Sequence, residues 1–255
     1  MLNLLGTTIN DFRASRVRSQ SRNRVALAGI PATLYPYWKR TAHIEFEGIP
    51  QDAFFFACAS DGLLTFFGCV AHSAKACALP SKAADSVWHA WLQMDPASLD
   101  AFCRRYFGRA IAHLEAGAMP LPMEAALANC LVQARKREGI NPEGPHLPRL
   151  FALDRRLRMP GGFSYAVKGG DVVFAHIDAA GRPERELHLQ AGLAPLSLLA
   201  AGLIYQHEYV RFEEHRRPDS ACGSTGSSCG SMRCDAGGGD GGGDGGGCGG
   251  GCGGD

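Results

Sequence analysis

Between Leu79 and Arg109 the apolar positions recur every three or four residues. Leu79-Pro80-Ser81 breaks the preceding segment, Ser81 supplies an N-cap, Asp85 falls in the first turn, and Val87, Trp88, Trp91 and Leu92 follow at helical spacing. This predicts a short amphipathic helix. Asp95-Pro96 is a second cap with proline at the first helical position. The helix it opens puts Leu99, Phe102, Cys103, Tyr106, Phe107 and Ile111 on one face and Arg104, Arg105 and Arg109 on the other. A third helix runs from Pro122 to about Arg137, with Met123, Leu127, Cys130 and Leu131 inward. Its Arg135, Lys136 and Arg137 complement the negative helix end before Gly139. Upstream, Ile49 to Val70 is rich in Phe; Asp52–Ser60 and Leu63–Ser73 read as two helices around Asp61-Gly62, with strand as the alternative.

After a Pro-rich connector, Asn141 to Pro148, the period changes. Phe163–Val167, Val172–Ile177 and Glu184–Gln190 read as three strands, joined by a turn at Gly169-Gly170 and another around Gly181. Pro195 to Arg216 reads as helix again, and Pro218 closes it. Strands confined to one part of an otherwise helical chain predict an α+β fold: a mainly helical body with a small three-stranded antiparallel meander.

Composition adds a division that periodicity does not show. Overall the 255 residues carry 26 Lys plus Arg against 25 Asp plus Glu. From Pro218 onward, however, the chain holds seventeen Gly, five Cys, five Asp and a single Arg, so the tail carries −4 and the body +5. With almost nothing apolar to bury, the tail is expected to be disordered. The predicted organisation is therefore a basic arm over 1–40, a helical domain over 41–140, the meander and last helix packed on it over 141–217, and a Gly/Cys tail over 218–255. Arg13, Arg16, Arg18, Arg22 and Arg24, without an acid from Ala14 to Ala26, fit a solvated basic face or a loose arm; an organelle-targeting segment or an RNA-binding arm are the alternatives. No run reaches the roughly 18 to 20 apolar residues of a membrane span, the longest candidate being Leu193 to Tyr205. Met1 to Ile9 lacks the layout of a cleaved secretion signal, so the expected compartment is the cytoplasm. Cys58, Cys69, Cys77, Cys103 and Cys130 sit in apolar surroundings and read as core residues.

Chemistry concentrates on the first helix. Asp85 and His89, four apart, project from one face, and His113 follows the next helix closely. If the two helices run antiparallel, His113 returns to the level of Asp85, and the three become candidate ligands for a transition metal such as zinc. The competing reading has Asp85 capping or ion-pairing and His89 as a satisfied core histidine beside Trp88. In the tail, Cys248 and Cys252 are a second, looser candidate pair for a soft metal. Other signatures are missing. None of the Gly pairs joins a strand to a helix as a phosphate loop, no G-x-S-x-G elbow occurs, and His207, Glu208 and His215 on the last helix read as a solvated face. The catalytic residues are therefore unassigned.

The run Asp85-Ser86-Val87-Trp88-His89, then Phe102-Cys103, Gly108-Arg109 and His113, resembles the glycine-rich domain-containing protein family of plants and bacteria. Trp91 stands where that pattern commonly has a second histidine, and Leu99 where it has tyrosine. The resemblance implies kinship and a motif core of Asp85, Trp88, His89, Phe102, Cys103, Gly108 and Arg109, without a mechanism. The expected function is a non-enzymatic module that binds an unidentified protein partner; the alternative is a metal-dependent enzyme or metal-binding protein using Asp85, His89 and His113. Nucleic acid enters only through the Arg-rich arm.

The tail yields a direct test. Cys222, Cys229, Cys234, Cys248 and Cys252, lacking any burial, should react with a thiol label on the native protein faster than the five body cysteines. Equal rates would mean that the tail is folded or docked.

Overall fold

The structure is a computed structural model that describes residues 2–114 and 120–216, all within one compact unit. Residues 218–255, including Cys248 and Cys252, lie outside the described residues. The described chain is α+β, with α1 (Leu2–Gln20), α2 (Arg24–Ala28), α3 (Leu34–Glu45), α4 (Ala53–Ala71), α5 (Lys82–Met94), α6 (Pro96–Phe107), α7 (Met123–Glu138) and α8 (Leu153–Leu157) preceding the sheet. Strands β1 (Phe163–Lys168), β2 (Asp171–His176) and β3 (His188–Leu189) form an antiparallel meander in that order, and α9 (Pro195–Ala200) and α10 (Gln206–Arg216) follow.

Helix α4 is the centre of the core. Phe55, Leu63, Leu64 and Phe67 are buried along it, and α1, α5 and α7 pack around it. Asp61 and Gly62 do not interrupt it, contrary to the two-helix reading. Asp52 caps it, its carboxylate accepting from the Phe54 and Phe55 amides, and Asp61 turns outward to accept from Ser21 Oγ and Asn23 Nδ2. Gly62 leaves room for Leu153, whose Cδ2 lies 2.3 Å from where a β-carbon would stand. By length and composition α4 would also suffice to cross a membrane, which the sequence reading missed; 72% of that stretch is buried in the core. Such burial is what an all-round apolar helix does inside a protein.

The segment read as a solvated basic face or loose arm is a packed helix, not a loose arm, and its Arg13, Arg16 and Arg18 form an exposed basic face. Helix α1 lies along α4, with Ala14 fully buried and Arg13 stacked over the Phe54 ring at 3.8 Å. Other boundaries shift for local reasons. Helix α6 ends at Gly108, whose φ of 80° places it in the left-handed region, so Ile111 lies beyond the helix although still buried. Met123, at the first position of α7, is exposed rather than inward. Arg135 is buried, where a dipole-complementing surface residue was expected. Its Nε donates to the His146 carbonyl at 2.9 Å and its Nη1 to that of Pro142 at 2.8 Å, and burial lowers its pKa to about 10. The third strand shrinks to two residues, and the last helix divides at Gly202, φ 63°.

Two contacts fix α5. Trp38 of α3 is fully buried and donates Nε1 to Ser86 Oγ at 3.0 Å, pinning α3 to α5. At the N-terminus of α5 the buried Asp154 carboxylate reaches in from α8: Oδ1 accepts from Ser81 Oγ at 2.6 Å and Ala83 N at 3.0 Å, and Oδ2 from Lys82 N at 3.0 Å and Phe163 N at 3.1 Å. Burial outweighs these donors and holds its pKa above the ordinary carboxyl value. Gly162 must be glycine here, since a β-carbon would sit 2.6 Å from Asp154 Oδ2.

Each Asp154 oxygen receives two donors, so an amide in either orientation would oppose two of them. Asp154→Asn should therefore destabilise the fold by about 2 to 4 kcal/mol, measured by denaturant unfolding, given about 1–3 kcal/mol for each buried group left unpaired. Trp88, only 4% exposed and set against Phe66 and Phe67, offers a second measurement: Trp88→Ala should cost about 3 to 5 kcal/mol, and near-wild-type unfolding would place the ring outside the core.

Candidate metal centre

Helix α5 begins where its sequence says it should. Ser81 Oγ accepts from Ala84 N at 3.2 Å, and Ala83, Ala84, Val87, Trp88 and Trp91 turn into the core. That burial leaves Asp85 and His89, one turn apart, on the rim facing the end of α3 and the segment after α6.

The path of that segment is set by the residues the motif singled out. Phe102 packs on Trp91 at a ring separation of 4.7 Å, and the Gly108 turn reverses the chain. Buried Ile111 makes a backbone hydrogen bond to Cys103, whose thiol is pushed up to about 12 by burial. His113 follows two residues later, its ring edge-on to that of Trp88 at 4.5 Å. Arg109, by contrast, is exposed and forms no ion pair among the described residues.

Asp85, His89 and His113 meet at this point. His89 Nε2 lies 3.0 Å from His113 Nε2, His113 Nε2 lies 3.3 Å from Asp85 Oδ1, and His89 Nε2 lies 3.6 Å from the same oxygen. All three side chains are half-buried. A tetrahedral metal with bonds of about 2.0–2.2 Å holds its ligand atoms roughly 3.3–3.6 Å apart, a range that the two separations from Asp85 Oδ1 meet and the 3.0 Å between the imidazoles falls just short of.

A fourth residue orients the cluster, one the sequence reading did not single out. Glu45, the last residue of α3, has Oε1 2.7 Å from His89 Nδ1. A carboxylate there accepts the Nδ1–H hydrogen bond and leaves the Nε2 lone pair toward Asp85 and His113, the role such partners play behind metal-bound imidazoles. Phe46 adds an edge-on contact to the His89 ring at 5.8 Å. A cavity of about 270 Å³ runs between α3 and α5 on this Nδ1 side, bordered by Tyr37, Thr41, Glu45, Ser86 and Gln93. No sequence pattern announces Glu45: it lies 44 residues before His89, and only the docking of α3 on α5 joins them.

The other candidates do not assemble. Glu208 is buried and accepts from the Tyr205 amide at 2.7 Å, His215 Nδ1 lies 2.6 Å from the Arg211 carbonyl, and His207 stacks on Tyr205. Among the body cysteines, Cys58, Cys69, Cys103 and Cys130 are buried free thiols. Cys77 is only half-buried, and hydrogen bonding, first from Cys130 and also from Asn129, holds its pKa below the ordinary value.

Against known proteins, residues 56–179 match the family model described as UCP032817-like, slightly less than half of the chain. The matched stretch takes in Asp85, His89 and His113 but begins after Glu45. No curated protein and no solved structure matches the chain.

Proposed function

We propose that this protein binds a single divalent transition metal of the zinc class through Asp85, His89 and His113, with Glu45 holding His89 in the binding tautomer. The observation that carries this reading is the convergence of three ligand atoms within 3.0–3.6 Å of one another from residues up to 28 apart in sequence. Two imidazoles and one carboxylate are a donor set used by catalytic zinc and by non-haem iron, both of which keep coordination positions open. A metal so held supplies Lewis-acid polarisation of a bound oxygen. The protein's own contribution is positional: α5 presents two ligands at fixed spacing, Trp88 backs His113, and Glu45 accepts the hydrogen bond of the distal N–H of His89. This makes metal binding, rather than the purely protein-binding module expected from sequence, the better supported function. Kinship with glycine-rich domain-containing proteins belongs to the same proposal, on the strength of the D-x-V-W-H run. A reducing compartment such as the cytoplasm fits the five free thiols of the body.

The test is metal content by elemental analysis after zinc loading and dialysis of the full chain. The expected result is about one equivalent more zinc in the wild type than in His89→Ala or His113→Ala, a comparison that cancels whatever the tail cysteines capture. Glu45→Gln should retain the metal but bind it about 10- to 100-fold more weakly, as loss of an orienting partner does. Identical zinc content in wild type and both histidine variants would overturn the proposal.

A further inference from the structure

On the side of α4 that packs α1, a cleft of about 410 Å³ opens between α1, the turn to α2, the end of α7 and the segment around α8. Arg13, Arg16, Arg22, Arg137, Arg149 and Arg156 line it. They come from separate parts of the chain, so folding gathers them; α1 supplies only Arg13 and Arg16. Among the described residues no carboxylate lies within 4.0 Å of any of the six guanidinium groups.

Two acids do border the cleft, and both have other partners. Asp61 accepts from Ser21 Oγ and from Asn23 Nδ2. Glu138 accepts from the Arg149 amide at 2.8 Å, and burial raises its pKa while that hydrogen bond and the charges of Arg149 and Arg22 act to lower it. Three of the arginines also have structural work. Arg22 donates to the carbonyls of Arg137 and Glu138 at the end of α7, Arg13 covers the Phe54 ring, and Arg137 lies over Gly68 with Nη1 3.4 Å from His72 Nδ1. Arg16, Arg149 and Arg156 have no side-chain hydrogen bond to a described residue. All three are exposed at the cleft, and an anion between them would satisfy their fork-shaped donors.

We infer that this cleft is a binding site for a small phosphorylated molecule carrying at least two phosphoryl groups, held by Arg16, Arg149 and Arg156. Three forks set on different elements match several phosphoryl oxygens pointing in different directions better than one planar carboxylate. The volume falls in the range of small-molecule pockets, about 300–1,000 Å³. Single-stranded RNA fits less well, because it needs open aromatic faces for base stacking. The one aromatic ring lining the cleft is Phe54, and Arg13 already covers it. The site is separate from the proposed metal centre and stands or falls independently of it.

Titration calorimetry of the full-length protein with inorganic pyrophosphate tests the assignment, with single phosphate and a single-stranded RNA oligomer as comparisons. Pyrophosphate should bind with measurable affinity and more tightly than phosphate. Arg16→Gln and Arg156→Gln should each weaken it about tenfold, the scale of one lost charge-assisted contact. His89→Ala should leave pyrophosphate binding unchanged, which separates this cleft from chelation at the metal centre. Thermal melting establishes that the arginine variants are folded; should either fail to fold, Arg149→Gln, at an exposed loop position, takes its place. Absence of pyrophosphate binding, binding that survives the arginine substitutions, binding that disappears in His89→Ala, or RNA binding that pyrophosphate does not displace would each overturn the inference.

Discussion

One buried carboxylate holds the architecture around the Asp85, His89 and His113 cluster in place. Asp154 receives the Ser81 hydroxyl and the first two free amides of α5 on one side and the opening amide of β1 on the other. A helix start leaves its amides without intrahelical partners, and here most of that deficit is met from a residue more than 70 positions downstream. The pitch and rotation of α5 are thereby tied to the sheet. Because Asp85 and His89 lie one and two turns farther along the same helix, their direction depends on that anchor, although neither touches it.

The cluster rests on a second, independent registration. Trp38 sets the rotation of α3 on α5 through Ser86, and this delivers Glu45 to the far nitrogen of His89. His113 arrives by a different route, through the left-handed turn at Gly108 and the burial of Ile111. Three elements thus converge with no hydrogen bond in common. The half-buried setting suits this arrangement: the rings are restrained by Trp88 and Phe46 while one side of the cluster stays open to solvent.

Much of this was readable from residue order alone wherever the cause is local. Ser81 and Asp95 as caps, the inward stripe of α5 and the paired first two strands follow from spacing within one or two turns, and the structure has them. Asp85 and His89 were visible for the same reason. What escaped has non-local causes. The continuity of α4 through Asp61-Gly62 depends on Ser21, Asn23 and Leu153; the burial of Arg135 depends on two carbonyls of the following loop; Glu45 depends on the docking of α3. The basic run in α1 fitted a solvated face or a loose arm because a charged helix face and a loose tether have the same composition. Only the partner surface of α4 distinguishes them.

The sequence separation within the cluster has a thermodynamic meaning. His89 and His113 are 24 residues apart, and Glu45 lies 44 before His89, so an unfolded chain must close several loops at once to bring these groups together. No short segment of the chain can imitate the centre. An ion that prefers the assembled cluster would then bind the native ensemble almost exclusively, and by mass action each tenfold excess of free ion over its dissociation constant adds about 1.4 kcal/mol to the unfolding free energy. The cluster is thus a property of the folded chain alone, and whatever ion it held would add its binding free energy to the stability of that fold.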